Sequence, residues 1–575
     1  MSEALHRPFW PTGLPWQMDF PTHSIALNLA ASALRAPGRV ALSFHGFSIT
    51  YGDLWADVER LAGWLQAQGV TRGDRVLLYM QNAPHYVIAY YAILRADAAV
   101  VPVNPMNRGA ELDHLARDTG ARIAIAGTEL LPHVEPLLAA GLLDHILVGA
   151  YADMTDPEDE VPLFEALQGY TDTTVSGPGL TGFRAALAAN HLPRAIQAGP
   201  DDIAVIPYSS GTTGQPKGCV HTHASVQATI QGGALWNPAD GTDEVHLTTL
   251  PLFHVTGMQN GMSIPLLKGQ QVVLLCRWNR EAACALIARH RVTRWRSIAT
   301  MAIDLLNTPG IDRHDLSSLR GIGGGGAAMP EAVADRLHAL TGLDYIEGYG
   351  LSETIAATHI NPVHRPKRQC LGIPVINVDS RIIDPETLAE LPPGETGEIV
   401  THGPQVFSGY WRRDAATRAA LIEIDGRTFF RTGDLGYRDS EGYFFMVDRV
   451  KRMINAAGFK VWPAEVEALM HAHPDLSEVC IIGTPDARRG ETVKAVAVRR
   501  AGAEALTEAQ VIDWCQSRMA TYKCPKSVEF TDALPKSAAG KVLWRALAEK
   551  EATRAAQPAG PACAGPGALD PLPGA

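Results

Sequence analysis

DRVLLYM at residues 74–80, followed by HYVIAYYAILRADAAVVPVN at residues 85–104, decides the fold class of this chain. The first run is short, apolar and without alternation, the pattern of a strand buried on both faces. The second reads as a helix running into another such strand. Working outward, Thr50 can cap a helix that carries Leu54, Val58, Leu61 and Leu65 on one face. On the other side ARIAIAG (121–127) and HILVGA (145–150) read as further buried strands. Helix and strand taking turns in this way predict a largely parallel sheet covered by helices on both faces, an α/β fold. Residues 171–200 are richer in Thr, Gly and Pro and interrupt the pattern as an excursion. IAVIPYSS (203–210) then resumes it as a strand entering a glycine-rich loop.

At 575 residues the chain exceeds one ordinary core, so several packed units are expected. The composition shifts near Gly442, where GYFFMVDRVKRMINAAGFKVWPAEVEALM crowds charges into a short span. The expected organisation is a large N-terminal domain over residues 1–447, a small α+β domain over 452–550, and a disordered tail over 551–575, where Pro, Gly and Ala replace apolar bulk. A hydrophobic fraction of 46% and a charged fraction of 19% are those of a globular protein. Runs of about 18 apolar residues, which a membrane span would need, are missing, and prolines interrupt the N-terminal stretch where a secretory signal would be apolar. A cytoplasmic protein is expected. The net charge of -11 comes from acids and bases mixed along the chain, with no basic stripe to follow a nucleic acid. The eight cysteines are scattered without CxxC spacing and read as ordinary thiols.

The chemistry concentrates in YSSGTTGQPKG, residues 208–218. Ser209, Ser210, Thr212 and Thr213 supply hydroxyl donors, Gly211 and Gly214 let backbone N–H groups approach oxygens closely, and Lys217 offsets negative charge. These are the requirements of a polyphosphate site. Pro216 before Lys217 and Gly218 after it break the GxxxxGK[ST] pattern, so a Walker-type loop is disfavoured. The stretch resembles the signature loop of the adenylate-forming superfamily, which includes acyl-CoA synthetases. Further motifs follow in that family's order: PLFHVTG from Pro251, YGLSET from Tyr349, RTGDLG from Arg431, DRVKRMI from Asp448 and PKSAAGK ending at Lys541. Together they span residues 25 to 550 or thereabouts.

The resemblance implies an acid:CoA ligase that joins a carboxylate to AMP and passes the acyl group to coenzyme A, using ATP and Mg²⁺. It implies that Tyr349 stacks on adenine, Ser352 bonds the α-phosphate, Glu353 helps hold Mg²⁺, and Asp434 takes the ribose hydroxyls. Arg449 reaches ribose or phosphate, and Lys451 is the hinge on which the small domain swings. Lys541 bridges carboxylate and α-phosphate during adenylation, whereas Gly458 and Phe459 belong to the channel for CoA after the swing. Ser352 stands where the family more often has Thr, which keeps the hydroxyl.

Trp236, His254, Val255, Met258 and Gly325 are the expected acyl-pocket residues. Their apolar, methionine-bearing surroundings suit an alkyl chain, so a medium- to long-chain fatty acid is expected, with aryl acids as the alternative. Amino acids are disfavoured because His254, not an aspartate, follows Phe253. The chain carries no carrier domain beyond Lys541, so free CoA is the expected acceptor. A homodimer is compatible with this reading. Two readings from other classes compete. Gly321, Gly323 and Gly326 spell GxGxxG before PEAVADRLHAL, with Asp344 and Glu347 beyond it, as an NAD-dependent oxidoreductase would have. A non-catalytic acyl sensor would share the fold, but would have no need of both Glu353 and Lys541. His221 and His223 form an HxH pair without a third ligand at metal spacing and are read as structural.

Overall fold

The computed structural model describes residues 5–168, 175, 177–209, 216–236, 241–326, 328–449, 452, 454–456, 459–461, 463–486, 490–536 and 542–556. The chain divides into two compact units, Met1–Met446 and Val447–Ala575.

In the first unit, the run that opened the sequence reading is the strand Arg75–Tyr79. It lies parallel to Ala99–Pro102 on one side and Ile123–Gly127 on the other. His145–Gly149 and Leu180–Gly182 extend the sheet in parallel beyond Ile123–Gly127. Part of the interrupted stretch therefore returns to the sheet as an edge strand. Ile203–Val205 joins parallel to Ala99–Pro102, and Lys217–Thr222 and Gly409–Tyr410 then close the far side antiparallel. A second sheet is parallel through Tyr345–Leu351, Gly321–Gly325, Arg294–Ser297, Val245–Thr248, Gln271–Leu274 and Val40–Phe44. Antiparallel strands flank it at either end. The helix Pro84–Arg95 is buried along its whole length, which explains apolar residues around its full circumference in place of a stripe. Its side chains share one cluster with Leu42 and Val272 of the second sheet and Val76 and Ile125 of the first, so it is core between two sheets. Thr50 caps the helix Tyr51–Ala67 by accepting from the Asp53 N–H at 3.2 Å, and Leu54, Val58, Leu61 and Leu65 are buried as expected. Asp379–Ile383, Gly397–His402, Arg427–Arg438 and Leu421–Ile424 make a separate antiparallel sheet.

The second unit is α+β. Phe459–Val461, Ile454–Ala456, Gly490–Arg499 and Leu476–Asp486 pair antiparallel, and Ser527–Phe530 lies parallel to Gly490–Arg499. The helix Pro463–Met470 begins with its Ala464 N–H donated to the Asp448 carboxylate at 2.8 Å, so the acid of DRVKRMI serves as a helix-terminus acceptor. The final helix, Trp544–Ala556, corrects the expected start of the tail at residue 551. Ala552 and Arg554 favour helix, and Glu551 pairs with the Lys494 ammonium at 2.7 Å, which holds this stretch against the sheet. Among the described residues, no helix is long and apolar enough to cross a membrane.

Candidate active site

The glycine-rich loop hangs from a hairpin. Ser209 pairs with Lys217 and Tyr208 with Gly218, which pins both ends. Ser210, Gly211, Thr212, Thr213 and Gly214 lie outside the described residues. Tyr208 donates its hydroxyl to Asp118 at 2.6 Å, and Arg413 donates to the other oxygen of that carboxylate at 2.9 Å. The Trp411 indole donates to the Asp118 carbonyl at 2.8 Å, and the Trp411 N–H to the Gly218 carbonyl at the same distance. A Cβ at Gly218 would stand 2.7 Å from Ile206, so this close packing needs glycine. Asp118 escaped the sequence reading, although an acid in the last turn of a helix opposes the helix dipole and so signals an external partner.

YGLSET forms the end of the strand Tyr345–Leu351 and the 3₁₀ turn Ser352–Thr354, after which Ala356–Ile360 returns antiparallel. The turn is held from three sides. The Ser352 carbonyl accepts from His221 Nε2 at 2.7 Å, the Glu353 carbonyl from the Phe407 N–H at 2.8 Å, and the Glu353 carboxylate from the Tyr410 hydroxyl at 2.9 Å. Burial lowers the His221 pKa to about 4, so the ring is neutral and the carbonyl assigns its proton to Nε2. His223 lies at the start of the next helix and its Nδ1 accepts from the Ile25 N–H, so the HxH pair holds two backbone segments. No group of three metal-ligating side chains occurs among the described residues.

Tyr349 donates its hydroxyl to Asp434 at 2.6 Å, bringing together two residues from distant motifs. Asp434 is buried and follows Gly433, whose positive φ of 71° turns its N–H onto Glu398 at 3.1 Å. Lys217 completes the group, with its Nζ 5.0 Å from the centre of the Tyr410 ring. Tyr410 was also missed; the aromatic pair in SGYW was the available signal. Lys217, Ser352, Glu353, Tyr349 and Asp434 are thus linked within the first unit through the strands at 217–222, 345–351 and 427–438. Arg449 ends the strand Phe444–Arg449, and Phe459 begins Phe459–Val461. Lys451, Gly458 and Lys541 lie outside the described residues.

The GxGxxG reading fails on geometry. Gly321 opens a strand, paired with Arg294, and Gly323 is an interior position paired on both sides, so neither forms the tight strand-to-helix turn that a dinucleotide requires. Glycine serves sheet packing here: a Cβ at Gly324 would sit 1.8 Å from the Ser297 carbonyl oxygen, and one at Gly325 2.2 Å from that of Gly348. Among the expected pocket residues, Val255 and Met258 are buried in the large apolar cluster, with Met258 in the π-helical segment Gly257–Ser263. His254 is half-buried at the preceding turn. Trp236 does not join them; it packs edge-on against Trp10, 5.2 Å between ring centres, in a separate cluster with Tyr443 and Ile373.

Glu347 ties the strand that carries Tyr349 to the segment after the glycines, accepting from the Met329 N–H at 3.0 Å. Burial outweighs its hydrogen bonds and raises its pKa from the usual 4.5 to about 7. A carboxyl raised on folding is stabilising in its protonated form below pH 4.5 and loses that contribution as pH rises through 7. Glu347→Gln is therefore expected to flatten the fall in melting temperature between pH 5 and 8, a difference of about 3 kcal/mol by this linkage. Thermal unfolding of both proteins across that range checks it; parallel curves would remove the assignment.

Comparison with known proteins identifies the family. The family described as AMP-binding enzyme matches residues 29–411, and the AMP-binding enzyme C-terminal domain matches residues 465–541. A long-chain-fatty-acid–CoA ligase of Bacillus subtilis (strain 168) is 35% identical over 94% of this chain and 97% of its own length. A feruloyl-CoA synthase of Amycolatopsis sp is 34% identical over 89% and 96%. Among solved structures, ATP-bound MatB from Rhodopseudomonas palustris superposes with a TM-score of 0.81 at 29% identity, covering 91% of this chain and 98% of that one. The anthranilate CoA ligase AuaEII in complex with anthranoyl-AMP gives 0.82 at 25% identity, covering 95% and 99%. This chain belongs to the AMP-binding enzyme family and is an ATP-dependent, adenylate-forming acyl-CoA synthetase.

Proposed function

We propose that the acid is a medium- to long-chain fatty acid, joined first to AMP and then to CoA. The observation that carries the choice is the run after His254, where Val255 and Met258 are buried among apolar side chains with no carboxylate in the turn to receive an amine. The 35% identity to a long-chain-fatty-acid–CoA ligase over 94% of the chain supports it. An aryl acid is the second reading, favoured by the feruloyl-CoA synthase at 34% identity.

In the first half-reaction a carboxylate oxygen attacks the α-phosphorus of ATP, the new P–O bond forms, and the bond to pyrophosphate breaks. An anion is brought to a polyanion, so cations and donors must already be in place. Lys217 stands at the polyphosphate, Ser209 and Ser352 offer hydroxyls, and Arg449 and Lys541 add positive charge. Tyr349 provides a face for adenine, and Asp434, already an acceptor for Tyr349, receives the ribose hydroxyls. Glu353 fits a magnesium site by its donor chemistry. Mg²⁺ prefers hard oxygen ligands and is commonly held by one or two carboxylates plus substrate phosphates, so one buried acid beside a phosphate loop suits it. When bound it would offset charge on the phosphates. In the second half-reaction the CoA sulfur attacks the acyl carbonyl, the thioester forms and AMP leaves, with Gly458 and Phe459 along the thiol's approach and Lys451 as the hinge. Exclusion of water protects the mixed anhydride between the two steps.

Pyrophosphate release with ATP, Mg²⁺ and acids from acetate through long-chain fatty acids to cinnamates, with and without CoA, tests the assignment. The expected result is release that rises with alkyl chain length and thioester formation when CoA is added. Preference for cinnamates would move the assignment to the aryl reading.

A further inference from the structure

We propose that Tyr410 is a positioning residue for adenylation, its hydroxyl fixing the Glu353 carboxylate and its ring seating the Lys217 ammonium. The inference rests on the reading of Glu353 as the magnesium acid. Tyr410 lies on the short strand Gly409–Tyr410, which pairs antiparallel with the strand leaving the phosphate loop, Cys219 opposite Tyr410 and Val220 opposite Gly409. Its backbone has little freedom. The Tyr410 N–H donates to the Thr417 hydroxyl at 2.9 Å, and Gly409, at a φ of 144°, packs so close to Thr417 that a Cβ would stand 2.6 Å from it. The ring is braced edge-on by Phe407, 4.8 Å between centres. From this fixed base the hydroxyl reaches Glu353 Oε1 at 2.9 Å, while the ring lies 5.0 Å from Lys217 Nζ.

Each contact has a chemical consequence. An ionised carboxylate can only accept, so in this pair the phenol hydroxyl is the donor and Glu353 Oε1 the acceptor. A carboxylate with one oxygen bound to a fixed donor has its plane set before the metal arrives, which lowers the ordering cost of binding. An ammonium on a flexible four-carbon stem has much freedom to lose, and an aromatic face restricts it without cancelling its charge. Phenylalanine would fill the same space, so packing alone gives no use for the hydroxyl.

The test is calorimetric titration of the full-length chain with ATP, once with saturating Mg²⁺ and once with EDTA. Tyr410→Phe is expected to bind ATP in EDTA within about twofold of the wild type while the gain from Mg²⁺ falls about tenfold, the scale of one hydrogen bond to a charged group. Tyr410→Leu, which also removes the ring, should in addition weaken binding in EDTA by about threefold. A full magnesium gain in Tyr410→Phe overturns the proposal. Glu353→Gln separates the two readings: if it too keeps the gain, Glu353 is not the metal acid, and if it alone loses the gain, only the role of Tyr410 fails. Should Tyr410→Phe not fold, Tyr410→Met is read on the same pair of titrations with the same outcomes.

Discussion

Lys541→Ala is expected to lower acyl-AMP formation by about 10³-fold or more while leaving thioester formation from supplied acyl-AMP within about twofold. The asymmetry follows from where charge accumulates. In adenylation a carboxylate meets a triphosphate, and no neutral group can substitute for an ammonium lying between them. In thioester formation the electrophile is a carbonyl already activated by its phosphate leaving group, and the negative charge that develops departs with AMP. Pyrophosphate release measures the first step, and thioester formation from synthetic acyl-AMP and CoA the second. Equal losses in both would mean that Lys541 supports the fold or CoA binding. Unchanged pyrophosphate release would transfer its role to Lys217 or Arg449.

The sequence disclosed the fold most clearly where side-chain pattern and burial coincide. After its first residue the strand Arg75–Tyr79 is apolar and buried, as Ile123–Gly127 is throughout, because helices cover both faces of their sheet, and Thr50 announced its helix through local cap chemistry. The glycine-rich stretch and YGLSET stood out in the sequence because the residue types a polyphosphate site needs lie close together in the chain. What stayed hidden is non-local. Nothing near residue 410 says that its hydroxyl meets Glu353, nor near Asp118 that it holds Tyr208, because tertiary packing creates those contacts across long stretches of sequence. GxGxxG misled for a related reason: a strand interior needs small residues when carbonyls approach closely, and a Gly count alone does not separate that need from a phosphate turn. Trp236 was grouped with Met258 on apolar character, yet burial distributes such residues among several clusters, and Trp236 meets Trp10 instead.

Gly350→Ala carries the second large effect, and it links backbone sterics directly to chemistry. A Cβ at this position would stand 1.8 Å from the Ala356 carbonyl oxygen and 2.4 Å from its carbon, both backbone atoms of the partner strand, so no side-chain rotation relieves the clash. The hairpin is already strained at the turn: Ile355, a β-branched residue, has a φ of 47°, and Ala356 has 127°. Register slips between Tyr349 and Gly350, and the Thr354 hydroxyl accepts from the Leu351 N–H at 2.9 Å and donates to the Ala356 carbonyl at 2.8 Å, leaving little slack. The strands must separate by about 1 Å or more to admit a methyl group, at a cost of about 3 kcal/mol. Ser352 and Glu353 lie on the turn that would move, and a displacement of about 1 Å at reacting groups costs about 10²-fold in rate. Gly350→Ala should therefore lose about 10²-fold in pyrophosphate release and melt several degrees lower. Gly38→Ala, where a Cβ meets nothing within 4 Å, should match the wild type in both. Loss of melting temperature with full pyrophosphate release would show that the site tolerates the displaced turn and would separate the stability of this hairpin from its chemistry.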